Sequence, residues 1–307
     1  MRRIPRARLK LMAGLLVLGG AALSIPAVPG TASAQPAPVE RYAPLVFLHP
    51  DDDNLPTNAR IFLRNSSLNW AHDDGCGDDE DFVAQGSVRG RRLGNGGYRH
   101  RLASDLLSGC DPEGPTFTSA DRTRPRDGQA GDEGFFLDLD NDARGGLGTR
   151  ARVYYDYQPG SHVTYWLFYA FNDAPTGITG AFDHEGDWER ISVRLDSQNR
   201  ATDVAFFAHN GHCTLPWDQV RTVRGHPVVY SANGTHASYP TAGEHGFDET
   251  AQGPRWRTWR RLLNVRTRPW YGFGGAWGEV GAIVDTTGPL GPSRYKPAAP
   301  SDWSERC

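Results

Sequence analysis

The stretch of sequence best suited to chemistry is the segment His184–Leu195, which reads HEGDWERISVRL. A strand has a side-chain period of two, so Asp187 and Glu189 share a face with the apolar residues that follow them. Burying unpaired carboxylates is costly. This face therefore predicts a bound cation or several hydrogen-bond donors.

Three further residues are placed to complete a metal site. His184 precedes the strand, Asp173 follows the preceding strand, and His236 lies in a polar turn after a later strand. Oxygen ligands with one imidazole favour Mg²⁺, Ca²⁺ or Mn²⁺ over structural zinc. The alternative is that the acids pair with Arg190 or cap local turns. The predicted ligand set is Asp173, His184, Asp187, Glu189 and His236.

Catalysis stays open at this point. His236 and Glu185 are candidate acid/base residues of a metal-assisted hydrolase. The Gly-x-Ser-x-Gly and His-Glu-x-x-His signatures are absent from the sequence. A spatial triad that uses Ser231 or Ser238 is not excluded. The sequence therefore leaves undecided whether the protein is an enzyme.

The elements that must position these residues are predicted to be short strands. Aromatic and β-branched runs alternate with Gly, Pro, Asn or Asp, which is typical of an all-β fold, an antiparallel β-sandwich with long loops. Residues 51–150 are expected to be loop-rich. Residues 254–264 are predicted to form a short helix, because Trp256, Trp259 and Leu263 recur at helical spacing after a Pro. The strand-like runs are 42–48, 153–157, 163–171, 188–195, 204–208 and 227–231.

Arginine and aromatic residues interleave between positions 255 and 271. At helical spacing this pattern is typical of a packing stripe, and the alternative is a surface that stacks on sugars or bases. The candidates for a ligand-binding surface are Trp270, Trp277 and Tyr239.

The N-terminus has the pattern of a secretory signal peptide. Basic residues precede an apolar run over 11–28, and Ala-Ser-Ala ends at Ala34. We expect cleavage after Ala34, a linker over 35–41 and a single secreted domain over 42–307, without a transmembrane span. The segment carries five cations and no acid, so its removal changes the net charge from −3 to −8. That charge argues against nucleic-acid binding, and we expect a monomer.

The four cysteines all lie beyond the predicted leader, and export exposes them to oxidising conditions. Four cysteines allow three pairings. We favour the pairing that keeps the two loops apart. These pairs are Cys76 with Cys110 and Cys213 with Cys307.

Several of these segments together resemble the vacuolar protein sorting 62 family, which implies a β-rich domain. The resemblance is sharpest between about residues 165 and 243. The segments that carry it are His184, Asp187, Trp188 and Glu189, then FFAHNG at 206–211, VVYS at 228–231 and HASYP at 236–240.

The chain is also distantly similar to necrosis-inducing proteins, which carry the heptapeptide Gly-His-Arg-His-Asp-Trp-Glu. The spacing of the first His, the Asp and the Glu matches that of His184, Asp187 and Glu189. The resemblance implies that these residues ligate a divalent cation, with Asp173 as an upstream ligand. Gly186 replaces the second His, so the target is expected to differ.

Three functions follow as hypotheses. The first is a secreted surface-binding protein that needs a divalent cation, recognises a glycan or lipid head group and damages membranes. The second is the metal-assisted secreted hydrolase. The third is a non-catalytic structural module stapled by disulfides.

Overall fold

The computed structural model describes residues 37–71, 80–95, 97–101, 133–174, 182–281, 286–295 and 298–307. The predicted signal peptide and the predicted Cys76–Cys110 pair lie outside these residues. The helices are α1 (Pro38–Arg41), α2 (Ala59–Arg64) and α3 (Gly90–Asn95). The strands are β1 (Leu45–Phe47), β2 (Ser66–Ala71), β3 (Glu80–Val83), β4 (His100–Arg101), β5 (Glu133–Leu139), β6 (Val153–Gln158), β7 (His162–Asn172), β8 (His184–Leu195), β9 (Ala201–Ala208), β10 (Gly211–Pro216), β11 (Thr222–Val223), β12 (His226–Ser231), β13 (Ser238–Tyr239), β14 (Gly243–His245), β15 (Asp248–Thr250), β16 (Arg255–Arg257) and β17 (Leu262–Asn264).

The strands form a layered, mainly antiparallel β structure. The central sheet has the order β10-β9-β8-β7-β6-β17, in which only the β17–β6 pair is parallel. A second sheet has the order β11-β12-β1-β16, with β13 also paired to β12. A third sheet has the order β3-β2-β5-β4, and β14 pairs with β15 in a hairpin. The predicted all-β sandwich class is confirmed.

The central strand β7 is buried on both of its faces, as its nearly continuous apolar sequence HVTYWLFYAFN predicts. One face packs with the third sheet in a cluster that includes Trp166, Phe168, Leu68 and Phe135. The other face packs with the second sheet in a cluster that includes Tyr165, Leu167, Val46 and Val229. The central sheet is therefore covered on two sides, which fixes what each face of β8 can contact.

The predicted helix over 254–264 is wrong. This segment forms β16, a 3-10 turn over Thr258–Arg261 and then β17. Trp256 is opposite Val46 in the strand pair, and the Thr258 hydroxyl donates a 2.6 Å hydrogen bond to the carbonyl of Pro44. Pairing with β1 outweighs the helical spacing of the aromatic residues, because local propensity is a weak constraint.

The region over 51–150, which the sequence predicts to be loop-rich, also contains helices and strands. The described part of this region contains α2, α3 and the whole third sheet. Strand β5, with the sequence EGFFLDL, pairs with β2 over six residue pairs. The surrounding Asp, Gly and Arg clusters hide this short strand in the sequence pattern.

The predicted Cys213–Cys307 disulfide is confirmed, and it joins β10 to the C-terminus. The Thr214 amide donates to the carbonyl of Glu305, so the tail also pairs with β10 through its backbone. In the described ranges, no helix has the length and apolar character that crossing a membrane requires.

Candidate functional site

The alternation of side chains along β8 is interrupted at Gly186. Glu185 and Asp187 are two residues apart and would lie on the same face of a regular strand, yet their side chains contact different sheets. The Glu185 carboxylate accepts a 2.7 Å hydrogen bond from the amide of Leu139 in β5, whereas Asp187 contacts the loop that follows β12. Gly186 has φ +58°, and a Cβ at this position would collide with the carbonyl oxygen of Trp277. Only glycine allows this reversal without strain.

His236 lies between two carboxylates in the interior. Its Nδ1 donates a 2.8 Å hydrogen bond to Oδ2 of Asp187, and its Nε2 lies 3.3 Å from Oδ2 of Asp52. The ring is fully buried and stacks on Tyr169, with 3.8 Å between ring centroids. Burial lowers the pKa of His236, but the two carboxylates outweigh it and raise the pKa to about 10. His236 is therefore an imidazolium at neutral pH.

Glu189 lies two residues beyond Asp187 and is partly exposed. It forms no hydrogen bond with any residue that the structure describes. Burial raises its pKa well above the usual range, and the charges of Asp187 and Asp248 add to this rise, while His236 and Arg190 oppose it. The acceptor oxygens of Glu189 are thus available to a ligand.

Asp248 in β15 holds the neighbouring segments together. Its Oδ1 accepts a 2.6 Å hydrogen bond from Thr235, and its Oδ2 accepts one of 2.6 Å from the hydroxyl of Tyr239 and one of 2.8 Å from Nε2 of His209. Burial raises the pKa of Asp248, but these hydrogen bonds outweigh burial and lower it. The carboxylate therefore stays ionised although it is buried.

Aromatic side chains lie next to Asp248, and two of them, His209 and Tyr239, form hydrogen bonds with it. Phe247 is 57% exposed, and its ring lies 4.8 Å from that of His209. Tyr239 stacks on His245 with 4.0 Å between ring centroids. We call these four residues, His209, Tyr239, His245 and Phe247, the aromatic rim. An exposed ring thus lies next to the ionised carboxylate of Asp248, a combination suited to polar ligands with an apolar face.

The predicted metal ligands are only partly brought together. Asp187 contacts His236. Asp173 is exposed, and its backbone amide donates a hydrogen bond to the carbonyl of Gly234, which lies in the same loop as His236. His184 uses its Nδ1 for a 3.0 Å hydrogen bond to the carbonyl of Gly186. Within the described ranges, no three His, Cys, Asp or Glu side chains are grouped so as to hold a metal ion. The placement of Asp173, His184, Asp187 and Glu189 around one ion stays a prediction.

The chemistry of these groups fits a cation in part. Asp187 and Glu189 supply oxygen donors, and the like charges around Glu189 favour a bound cation. His236 does not fit as a ligand in this geometry, because each ring nitrogen faces a carboxylate. It supplies a positive charge instead.

The side chains considered for catalysis lie in different surroundings. His236 has no exposed surface. The pKa of Glu185 is raised to about 7, mainly by burial, and the charges of Asp138 and Glu279 add to this rise. The Ser231 hydroxyl forms a 2.9 Å hydrogen bond with Tyr169, and neither Ser231 nor Ser238 bonds to a histidine ring in the described ranges. A serine triad at this position is therefore not formed.

Two of the predicted surface residues lie in the core. Trp277 is fully buried and Trp270 is 5% exposed, because both belong to the cluster between the central and third sheets. Tyr239 does lie at the aromatic rim. Sequence reasoning missed Asp52, Asp248 and Phe247. Asp52 stands in a run of three aspartates whose acidic character signals solvent, and only the tertiary structure turns it toward His236.

Comparison with known proteins agrees with both resemblances. The vacuolar protein sorting-associated protein 62 of Saccharomyces cerevisiae is 25% identical over 161 residues, which cover 38% of this chain and 34% of that protein. The chain thus spans about a third of that relative's length. No protein-family model matches the chain.

Several solved structures are also similar to the chain. The structure described as NLPPya in complex with mannosamine is 15% identical, with 80% of each chain covered and a TM-score of 0.36. NLPPya in complex with glucosamine is 18% identical, with 39% of this chain and 53% of that chain covered and a TM-score of 0.27. A structure described as a toxin fold for microbial attack and plant defense is 13% identical, with 80% of each chain covered and a TM-score of 0.34.

Proposed function

We propose that the protein is a secreted surface-binding protein that recognises a glycan where Asp187 and Glu189 meet the aromatic rim. The observation that carries this proposal is the state of Glu189. Glu189 is half-buried, its carboxylate has no hydrogen-bond partner among the described residues, and it lies near the charges of Asp187 and Asp248. A carboxylate kept in this way, at a cost in stability, is typical of a functional site.

The neighbouring groups suit a sugar. Carboxylate oxygens accept hydrogen bonds from pairs of hydroxyl groups, and the exposed ring of Phe247 offers an apolar surface for the C–H face of a sugar. Asp248 fixes His209 and Tyr239 by hydrogen bonds, so the rim is organised before a ligand arrives. Such preorganisation lowers the entropic cost of binding.

A divalent cation completes the proposal. Asp187 and Glu189 would hold it through oxygen, with Asp173 and His184 as the further ligands that the sequence predicts. A bound Mg²⁺, Ca²⁺ or Mn²⁺ would offset the excess of negative charge and coordinate hydroxyl groups of the sugar. His236 remains outside this set and holds Asp187 in position.

Export is part of the same proposal. The N-terminal pattern predicts a signal peptide, and the Cys213–Cys307 disulfide is typical of proteins from oxidising compartments. A glycan on a cell surface is then the partner. The hydrolase alternative has less support, since the buried His236 cannot reach a substrate.

Binding to a glycan array with and without Ca²⁺ tests the proposal. The comparison uses wild type, Glu189→Gln and the matched control Glu249→Gln, which alters an exposed carboxylate in the same hairpin as Asp248. We expect Ca²⁺-dependent binding that falls about tenfold or more in Glu189→Gln only. Absence of glycan binding by wild type, or equal loss in both variants, would refute it.

A further inference from the structure

A second candidate site lies away from the acidic face of β8. A cleft of about 1030 Å³ is bounded by α2, α3, β6 and the segment that follows β17. Its floor is apolar and includes Leu63, Val88 and Trp270. The Tyr154 hydroxyl at the floor accepts a 3.1 Å hydrogen bond from the amide of Ala59, which ties β6 to the start of α2.

Six arginines line this cleft, which we call the arginine cleft. Five of the six are exposed and Arg268 is half-buried. No Asp or Glu is among the described residues that line the cleft, and none of the six forms an ion pair with a described carboxylate. The six are Arg60, Arg64, Arg89, Arg91, Arg152 and Arg268.

Among the described residues, two of these arginines form side-chain hydrogen bonds, and their partners are neutral groups. Arg89 donates to the carbonyls of Gly86 and Val88, and Arg268 donates to the carbonyl of Asn264 and the hydroxyl of Thr267. Like charges that line one cleft repel one another, and the chain as a whole carries a net charge of −3. The cleft therefore holds a cluster of positive charge on a chain whose net charge is negative.

We propose that the arginine cleft binds a small molecule that carries several phosphate groups. The planar guanidinium group forms paired hydrogen bonds with phosphate oxygens, and several of them together favour a ligand with clustered phosphates. The cleft has the size of a small-molecule site. A bounded, concave shape on an acidic protein suits a compact ligand better than an extended polyanion.

This site also gives a role to the arginine-aromatic segment of the sequence. Arg268 and Trp270 belong to that segment, and both line the cleft. Trp270 packs in the core and shapes the floor, while Arg268 faces the ligand. The packing and binding interpretations of the segment thus apply to different residues of it.

Calorimetric titration with myo-inositol hexakisphosphate tests the proposal. We expect saturable binding at about 50 mM salt that weakens as salt rises, because charge attraction drives it. The double variant Arg64→Gln with Arg152→Gln should lose about tenfold or more in affinity. The matched control Arg224→Gln with Arg257→Gln removes two exposed charges outside the cleft and should change affinity less than about twofold.

Other outcomes would overturn the assignment. Absence of binding, or an equal loss in the control variant, would show that the cleft is not the site. Equal affinity for inositol hexasulfate would show that the cleft does not select phosphate. Binding to vesicles that contain phosphatidylinositol bisphosphate, without binding of the free hexakisphosphate, would assign the cleft to a membrane lipid instead.

Discussion

The Nδ1 atom of His236 donates a 2.8 Å hydrogen bond to Oδ2 of Asp187, which joins the loop after β12 to the centre of β8. The bond is buried, and Asp52 lies on the other side of the ring. His236 has φ +58°, a conformation that is unfavourable for a non-glycine residue. The backbone strain persists because the imidazolium satisfies two buried carboxylates.

The charge on His236 makes stability depend on pH. The folded-state pKa is about 10, above its usual value of 6.5. The stabilising contribution is therefore complete below pH 6.5 and is lost as pH rises through about 10. Melting temperatures measured in EDTA should fall over this range in wild type and much less in His236→Gln. Parallel curves for the two proteins would contradict the assignment.

Gly186 is expected to tolerate no side chain. Gly186→Ala puts a Cβ against the carbonyl of Trp277 at a positive φ, and we expect a loss of about 3 kcal/mol or more in the free energy of unfolding. Chemical denaturation measures it. The control Gly211→Ala has ordinary space and backbone conformation and should change stability by less than about 1 kcal/mol. Similar values for both variants would refute the role of Gly186 in reversing β8.

Asp248→Asn should weaken the hairpin and the aromatic rim together. The carboxylate accepts hydrogen bonds from Thr235, Tyr239 and His209, and bonds to a charged group are worth about 1.5–3 kcal/mol each. We expect a loss of about 3 kcal/mol by urea denaturation. Asp218→Asn, at an exposed carboxylate, should show a loss below about 0.5 kcal/mol.

Loss of the Cys213–Cys307 disulfide should destabilise the fold. The bond closes a loop with a sequence separation of 94, so its removal in Cys213→Ser with Cys307→Ser should cost about 2–5 kcal/mol. The melting temperature of the double variant measures this cost. An unchanged melting temperature would show that the backbone pairing of the tail with β10 is sufficient.

Strong local patterns made much of the fold predictable. The apolar run of β7 and the alternation in β8 identified the central sheet, and four cysteines limited the disulfide to a few pairings. The segment around Trp256 was mispredicted because pairing with β1 depends on residues about two hundred positions away. Spacing within the segment contains no information about that partner.

The candidate site was predictable only along β8. Asp187 and Glu189 were identified from the alternation of side chains along β8, whereas the positive φ of Gly186, which turns Glu185 to the other face, was not predicted. His236 was identified as a polar turn residue, while its role as a counter-charge depends on Asp52. Long-range contacts of this kind cannot be derived from one sequence.

The most direct test of the central claim is calorimetric titration of Ca²⁺ into metal-free wild type and Glu189→Gln, with Glu249→Gln as control. Because the charge of Glu189 is unfavourable where it lies, the metal-free Glu189→Gln variant should also melt higher than wild type. We predict saturable Ca²⁺ binding by wild type and Glu249→Gln and none by Glu189→Gln. Absence of binding by wild type, or equal binding by all three proteins, would contradict a ligand site at Asp187 and Glu189.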